Sequence, residues 1–207
     1  MKTSDIGLSF DDKLSRSDWA TVTWVAAKPD NLWFGTVPTS LGAMTIIGAD
    51  DALCYIGFTE TRSIDKCRKY FSTADFGVDI NRAEKMAKTI MKIWNGDRTA
   101  NLKLLIGGTD FQQRVWKTLM KIPVGNVVSY GAIAASIGNP AAVRAVGTAV
   151  GANPISLIIP CHRVVQKNGN IENYGWGNAM KQKILTAEAK FTQTSRNPAS
   201  RKNQRVV

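Results

Sequence analysis

The stretch from Pro160 to Val165 reads Pro-Cys-His-Arg-Val-Val, and it decides how the second half of the chain is interpreted. Cys161 is one of three cysteines, and His162 is the only histidine among the 207 residues. A thiol reacts as the thiolate, and a nearby imidazole that takes its proton, itself oriented by a carboxylate, supplies one at neutral pH. Neighbouring residues of an extended segment point to opposite sides, so this pair needs a turn, which Pro160 favours, or an intervening water.

Carboxylates that could orient the histidine are scarce in this half of the chain. Only Asp110, Glu172 and Glu188 follow residue 100, and Glu188 lies on the face of a predicted last helix that can pack behind the turn. A relay of Cys161, His162 and Glu188 is therefore one hypothesis. The dipeptide alone is equally compatible with a buried structural thiol beside a core histidine.

Short helices precede this stretch. Thr109 and Gln112 match a capping box, which predicts a helix over 110–121. Ser129–Ile137 and Ala141–Val150 read as two helices around a Gly-Asn-Pro turn, with the proline near the first helical position, which is a helix-turn-helix pattern. The second helix is rich in small residues and could approach a partner surface closely, or it could be a core helix.

The remaining segments are predicted from their apolar periodicity. We expect an apolar strand over Ile155–Ile159, a last helix over Asn178–Lys190 and a disordered basic tail over 192–207. The first half predicts an antiparallel meander of strands, followed by two helices and a short strand that either returns to the sheet or links the halves. These elements are Trp19–Ala27, Leu32–Thr39, Leu41–Ile47, Ala52–Phe58, the helices Ile64–Phe71 and Ile80–Trp94, and the strand Leu102–Ile106.

This element order predicts an α+β protein. Residues 1–100 form a supporting α/β domain, residues 101–191 form a mostly helical domain that carries the chemistry, and residues 192–207 form the tail. The composition is ordinary for a globular chain, with 44% hydrophobic and 21% charged residues. There is no long apolar run and no signal-peptide pattern at the acidic start, so we expect a cytoplasmic protein without membrane contact. Three cysteines and one histidine without close spacing predict neither a disulfide framework nor a metal site.

The charge is distributed unevenly along the chain. Residues 1–100 carry 13 basic and 13 acidic side chains, whereas the rest carries 14 basic and 3 acidic ones, so the whole net charge of +11 lies in the second half. Such a surface is typical of a protein that binds a polyanion, of which nucleic acid is the common one. Many basic domains nevertheless bind nothing specific.

The Pro-Cys-His-Arg-Val core, preceded by Asn153-Pro154 and followed by 173–177, closely resembles the active-site segment of O6-alkylguanine-DNA alkyltransferases. The resemblance extends in register over roughly 80 residues, from Gly108 to Glu188. It implies that residues 1–100 form a ribonuclease H-like domain with a small antiparallel sheet and helices. For those residues the resemblance is only in element order.

The resemblance also implies a reaction. The alkylated base is flipped out of double-stranded DNA, and the thiolate irreversibly takes the alkyl group from guanine O6, and from thymine O4 in the related adduct. It implies a monomer that is consumed in one turnover and needs no cofactor or metal. Carried onto this sequence, Cys161 is the acceptor, His162 acts through a water as base, Glu188 orients the histidine, Asn153 positions the turn, and Tyr130 donates its phenolic proton towards the base.

DNA contact in this family comes from the helix-turn-helix, whose second helix lies in the minor groove, where small residues fit. Arg144 would fill the gap left by the flipped nucleotide. The remaining DNA-facing positions would be Gln112, Tyr130, Gly131, Asn139 and Gly147, and the base pocket would be formed by Tyr130, Tyr174 and backbone groups of Val164 and Gly175.

The sequence also departs from the family pattern. Gly131 replaces a frequent glutamine and Ala141 a frequent lysine, so individual backbone contacts are expected to be weaker. Gly175 replaces an occasional serine, which changes little if the backbone N–H makes the contact. Two alternatives stay open. One is a non-catalytic alkyltransferase-like protein that flags alkylated DNA for other repair; such proteins usually lack the cysteine found at position 161. The other is a thiol hydrolase or acyl transferase on an unrelated fold, which would leave the helix-turn-helix unexplained.

Overall fold

The computed structural model of the protein describes residues 9–10, 21–25, 28–97 and 99–196. Over these ranges the chain is a mixed α/β protein with two sheets and six α-helices. The strands are β1 (Ser9–Phe10), β2 (Thr21–Val25), β3 (Asn31–Thr39), β4 (Gly42–Ala49), β5 (Ala52–Gly57), β6 (Asp75–Val78), β7 (Asn101–Leu105), β8 (Asn126–Ser129) and β9 (Val164–Val165). The helices are α1 (Glu60–Arg68), α2 (Ile80–Trp94), α3 (Asp110–Leu119), α4 (Tyr130–Ser136), α5 (Val143–Gly151) and α6 (Asn178–Arg196).

The larger sheet has six strands in the order β2-β7-β5-β4-β3-β6. The predicted meander is confirmed for β3, β4 and β5, which pair antiparallel. It is wrong for the first predicted strand, because β7 lies between β2 and β5 and pairs parallel with both. The strand after α2 thus returns to the sheet, one of the two outcomes that the sequence allowed. The small second sheet joins β1, β8 and β9 in parallel.

Helices cover both faces of the larger sheet, which explains why β4 and β5 are apolar without interruption. Ile46 packs in one hydrophobic cluster with Ile90 of α2, whereas its neighbour Ile47 packs in another with Cys67 of α1. Successive side chains of a strand point to opposite faces, so both faces need apolar residues here.

Helix α2 has the bounds that its periodicity predicts. The Asp79 side chain accepts a hydrogen bond from the Arg82 amide at 2.9 Å and caps the first turn. Ala83 faces β3 so closely that a Cβ on Gly35 would lie 2.6 Å from its own Cβ. Glycine at position 35 therefore lets the helix rest on the strand. Helix α1 also forms, but it begins four residues before the predicted start and ends at Arg68.

The predicted capping box is confirmed at the start of α3. The Gln112 amide donates to the Thr109 hydroxyl, and the Thr109 amide donates to the Gln112 side chain. Helix α4 lies within the predicted range, with Ser129 as its cap. Helix α5 begins at Val143 rather than beside Pro140, because the Ala142 amide bonds to the Asn139 carbonyl and closes a turn there.

The predicted strand over Ile155–Ile159 is wrong. These residues form turns, Leu157 has a φ of 70°, and only Ile155 makes a bridge, to Ile56. The Asn153 side chain accepts from the Ile155 amide and donates to the Ile159 carbonyl, which folds the segment back on itself. The apolar side chains are buried without a ladder, so burial rather than pairing explains their pattern.

The last helix continues beyond its predicted end to Arg196, so residues 192–196 are helical rather than part of a tail. Residues 197–207 lie outside the described residues, as do most residues of the acidic start. In the described ranges, no helix has the length and hydropathy needed to cross a membrane. The predicted domain boundary near residue 100 stays a prediction.

Candidate active site

Asn153 fixes the turn that presents Cys161. Its side chain is buried between the end of α5 and the turn. The amide nitrogen Nδ2 donates to the Ile159 carbonyl at 2.8 Å and to Cys161 Sγ at 3.0 Å. An amide group carries two N–H donors, so one can hold the backbone while the other is directed at the sulfur. The predicted positioning role of Asn153 therefore has a geometric basis.

Cys161 begins a short 3₁₀ turn, Cys161–Arg163, that is buried against α6. Burial raises the pKa of the Cys161 thiol, while the hydrogen bond from Asn153 and the charge of Lys181 oppose the rise. The resting state is accordingly a neutral thiol. It needs a base at the moment of reaction.

The turn places His162 directly on Glu188 of α6. His162 Nε2 lies 2.9 Å from Glu188 Oε1, and both side chains are fully buried. The position of Glu188 behind the turn agrees with the helix face that the sequence indicates. Trp94 adds an edge contact to the imidazole, with ring centroids 6.1 Å apart.

Arg163 holds the same carboxylate, a contact that the sequence reasoning missed. Its Nε lies 3.0 Å from both carboxylate oxygens of Glu188, Nη2 lies 2.6 Å from Oε1, and Nη1 donates to the Ile122 carbonyl. Burial alone would raise the pKa of Glu188, but Arg163 and His162 together lower it to about 2. The carboxylate is therefore ionised at neutral pH.

An ionised Glu188 determines the tautomer of His162. The nitrogen that faces the carboxylate must carry the proton, so Nε2 donates and Nδ1 is left with its lone pair. Burial lowers the pKa of His162, an effect that Glu188 partly offsets. Nδ1 is buried and has no hydrogen-bond partner among the described protein atoms. The imidazole is thus neutral and has its basic nitrogen free.

Lys181 is a second buried cation that sequence reasoning missed. Its Nζ donates to the Val164 carbonyl at 2.7 Å, and burial lowers its pKa to about 8. The sequence assigned backbone groups of Val164 to base recognition, and Lys181 fixes that carbonyl in place. With Arg163 paired to Glu188, Lys181 adds a positive charge that favours a thiolate at Cys161.

A cavity with an open mouth adjoins Cys161, which is among its lining residues. It brings together the predicted residues Tyr130, Gly147, Asn153, Cys161, Tyr174 and Gly175, whereas the predicted pocket residue Val164 is fully buried and does not line it. Burial raises the pKa of the Tyr130 phenol, so Tyr130 stays protonated and can donate a hydrogen bond. The cavity also has lining residues that the sequence reasoning did not select: Lys66, Val150, Gly151, Ser156, Asn173, Trp176 and Lys181.

The residues assigned to DNA contact lie outside this cavity, Tyr130 and Gly147 excepted. Arg144 is exposed on the first turn of α5, Asn139 is exposed in the preceding turn, and Gly131 is exposed on the first turn of α4. Gln112 is engaged in the cap of α3. Its direct role in this structure is therefore to stabilise a helix start.

No group of three or more histidine, cysteine or acidic side chains with metal-binding geometry occurs in the part of the chain that the structure describes. The missed residues had weak signals in the sequence. Arg163 directly follows the histidine, and an arginine beside a buried carboxylate is a common way to keep it charged. Lys181 and Lys66 are two of many lysines, and only the fold brings them to the cavity.

Replacing Asn153 by leucine is expected to raise the pKa of the Cys161 thiol further, because the side chain of similar size cannot donate to the sulfur. Alkylation of Cys161 by iodoacetamide at neutral pH should slow by about tenfold, the factor for one pKa unit. The pH dependence of alkylation, followed by peptide mass mapping, measures this shift. Asn101→Leu, at an exposed position of β7, is the matched control. An unchanged midpoint in Asn153→Leu would contradict the hydrogen bond to the thiolate.

Comparisons with known proteins find relatives over most of the chain. Residues 110–190 match the family model described as "6-O-methylguanine DNA methyltransferase, DNA binding domain". All the site residues chosen from the sequence lie within that range. The relative "Methylated-DNA--protein-cysteine methyltransferase" of Mycobacterium bovis is 37% identical over 156 residues, which are 75% of this chain and 91% of that protein.

Two further relatives extend the comparison. "Bifunctional transcriptional activator/DNA repair enzyme Ada" of Escherichia coli is 38% identical over 152 residues, or 72% of this chain and 43% of that protein. The chain therefore spans less than half the length of Ada. A crystal structure of Mycobacterium tuberculosis OGT in complex with DNA has a TM-score of 0.61 and 33% sequence identity, covering 78% of this chain and 94% of that chain.

Proposed function

This chain belongs to the methylated-DNA–protein-cysteine methyltransferase family, and we propose that it repairs DNA by taking alkyl groups from O6-alkylguanine onto Cys161. The proposal includes O4-alkylthymine in double-stranded DNA. The observation that carries it is the buried hydrogen bond between Glu188 and His162, which follows Cys161 in a short turn, while Cys161 itself lines a cavity. The family supplies the substrate class, and the relay supplies the means to ionise a buried thiol.

In the proposed reaction the Cys161 proton passes through a water to His162 Nδ1, and Glu188 stabilises the imidazolium. The thiolate attacks the alkyl carbon, so a sulfur–carbon bond forms while the carbon–oxygen bond to guanine O6 breaks. The electron pair passes to the guanine, which regains one proton and so balances the one lost by Cys161. Tyr130 donates a hydrogen bond as negative charge develops on the base. The thioether is stable, so each protein reacts once.

We further propose that α4 and α5 act as a helix-turn-helix and that α5 enters the minor groove. The exposed Arg144 and the small residues of α5 support this proposal, because a groove about 6 Å wide admits little more than backbone and one inserted side chain. The solved complex of the M. tuberculosis relative with DNA also supports a DNA partner. Specificity for alkylated bases and a monomeric state belong to the same proposal.

Two other parts of the proposal concern fold and location. The run from β3 to β6, three antiparallel strands with a fourth parallel to the first, supports a ribonuclease H-like arrangement of the first half. The three cysteines are all free and buried, which supports a reducing compartment such as the cytoplasm.

Intact-protein mass spectrometry after incubation with excess duplex carrying O6-methylguanine tests the proposed function. We expect one added methyl group per protein, on the peptide that contains Cys161, with no further increase at longer times. Tight binding without a mass change would instead favour a protein that only flags alkylated DNA. If the protein neither bound the duplex nor gained a methyl group, both functions would be overturned.

Arg144→Ala is expected to slow repair of duplex DNA while sparing reaction with free O6-alkylguanine. The side chain would fill the stack only when a nucleotide is flipped, so its loss should cost about tenfold or more in the rate on duplex. Second-order rate constants on duplex DNA and on free O6-alkylguanine measure the two losses separately. Lys88→Ala, which removes an exposed cation from α2, serves as the control. Equal losses on both substrates would contradict the stacking role.

A further inference from the structure

Helix α1, in the first half of the chain, delivers a cation to the cavity that holds Cys161. Lys66 lines this cavity together with Tyr130, Gly147 and Gly175. It lies outside residues 110–190, the range matched by the DNA-binding family model. The first half therefore contributes a side chain to the site and does not only support it.

Trp176 holds the Lys66 side chain in place. The Lys66 ammonium lies 5.0 Å from the centroid of the indole ring, and the Arg62 guanidinium, one helical turn earlier, lies 5.3 Å from it. The indole itself is fixed, because its Nε1 donates to the Ser156 hydroxyl at 2.8 Å and its edge contacts Phe58. A Cβ on Gly175 would lie 3.8 Å from Lys66 Nζ, so the ammonium reaches the wall of the cavity.

The surroundings of Lys66 are short of negative charge. Burial lowers the pKa of its ammonium, Arg62 adds to the decrease, and Cys161 opposes it. No carboxylate is among the groups that shift it, and no ion pair of Lys66 occurs among the described residues. A half-buried ammonium beside other cations is costly unless an anion binds there.

A nucleotide whose base enters the cavity brings such an anion. The base would occupy the cavity that Lys66 lines, while its flanking phosphates would remain outside the cavity. A lysine ammonium is a compact charge that binds phosphate well.

We propose that Lys66 of α1 binds a phosphate that flanks the flipped nucleotide and so helps to hold the alkylated base beside Cys161. This rests on the proposed function. It makes the first half of the protein part of substrate recognition, with Arg62 as a second, more exposed cation at the same wall.

The test compares Lys66→Gln with Lys69→Gln, which removes an exposed cation at the end of the same helix. We expect Lys66→Gln to lower the second-order rate constant on O6-methylguanine duplex by about tenfold and to reduce the salt slope of binding by about one. Lys66→Arg should restore most of the rate. Alkylation of Cys161 by iodoacetamide should slow much less than duplex repair in Lys66→Gln, and it should be unchanged in Lys69→Gln.

Duplexes in which a neutral methylphosphonate replaces one of the two phosphates flanking the O6-methylguanine allow a double-mutant cycle with these variants. The penalty of Lys66→Gln should vanish on one of these modified duplexes. Any of three results would overturn the phosphate contact. The rate penalty of Lys66→Gln would persist on both modified duplexes, or it would equal the penalty of Lys69→Gln. In the third, Lys66→Gln would slow alkylation of Cys161 by iodoacetamide as much as it slows repair.

Affinity for the same duplexes is measured in parallel in a Cys161→Ser background. In this background, the affinities of Lys66→Gln and Lys69→Gln test the phosphate contact of Lys66 even if the unsubstituted protein transfers no methyl group. Absence of transfer overturns the proposed function, whereas equal affinities overturn only the role of Lys66.

Discussion

Cys161→Ser is expected to abolish alkyl transfer while leaving the affinity for alkylated duplex close to that of the unsubstituted protein. Oxygen replaces sulfur at nearly the same position, and the Asn153 amide that donates to Sγ can donate to a hydroxyl as well. A serine hydroxyl is far less acidic than a thiol, and burial makes its ionisation harder still. Intact-protein mass spectrometry should show no added methyl group, even with excess duplex and long incubation.

The other two cysteines provide the controls for this result. Burial raises the pKa of Cys54 to about 12 and that of Cys67 further, and both pack in the cluster between the sheet and α1. Neither lines the cavity beside Cys161. Cys54→Ala and Cys67→Ala should therefore keep full stoichiometry. A methylated peptide containing Cys54 or Cys67 in the Cys161→Ser protein would place the acceptor elsewhere.

The chemistry of the site was predictable where it depends on neighbours in sequence or on scarcity. Cys161 and His162 are adjacent, and few acidic residues follow residue 100, so Glu188 could be chosen as the partner before its contact was known. Helices with regular periodicity or side-chain caps, such as α2 and α3, were also predictable, because their signals are local.

What could not be predicted depends on contacts between distant residues. Ile155–Ile159 has the composition of a strand, but the two hydrogen bonds of the Asn153 side chain and the Ile159 amide bond to the Ile155 carbonyl make it a turn. β2 pairs with β7, a partner about 80 residues away, and a local pattern carries no information about such pairing. Lys66 and Lys181 have no sequence signal, because many exposed lysines have the same local context and only the fold brings these two to the cavity.

Glu188→Gln is expected to damage stability and transfer together. The carboxylate accepts from Arg163 and from His162, and all three side chains are fully buried, so an amide would leave the guanidinium buried without its counter-charge. Removing one partner of a buried ion pair costs about 3–5 kcal/mol. His162 would also lose the charge that stabilises its protonated form, so transfer should slow by about 100-fold or more. Denaturant unfolding and single-turnover rates measure the two effects.

The pH dependence separates this electrostatic role from simple packing. Because the pKa of Glu188 falls from about 4.3 in an unfolded chain to about 2 in the native protein, its stabilisation is complete above pH ~4.3 and is lost as the pH falls towards 2. The difference in unfolding free energy between the native protein and Glu188→Gln should therefore be largest near neutral pH and shrink below pH ~4. Glu172→Gln, which changes an exposed carboxylate, should show no such difference. A gap that stays constant down to pH 2 would mean that Glu188 contributes shape and not charge, and the relay through His162 would then lose its source of basicity.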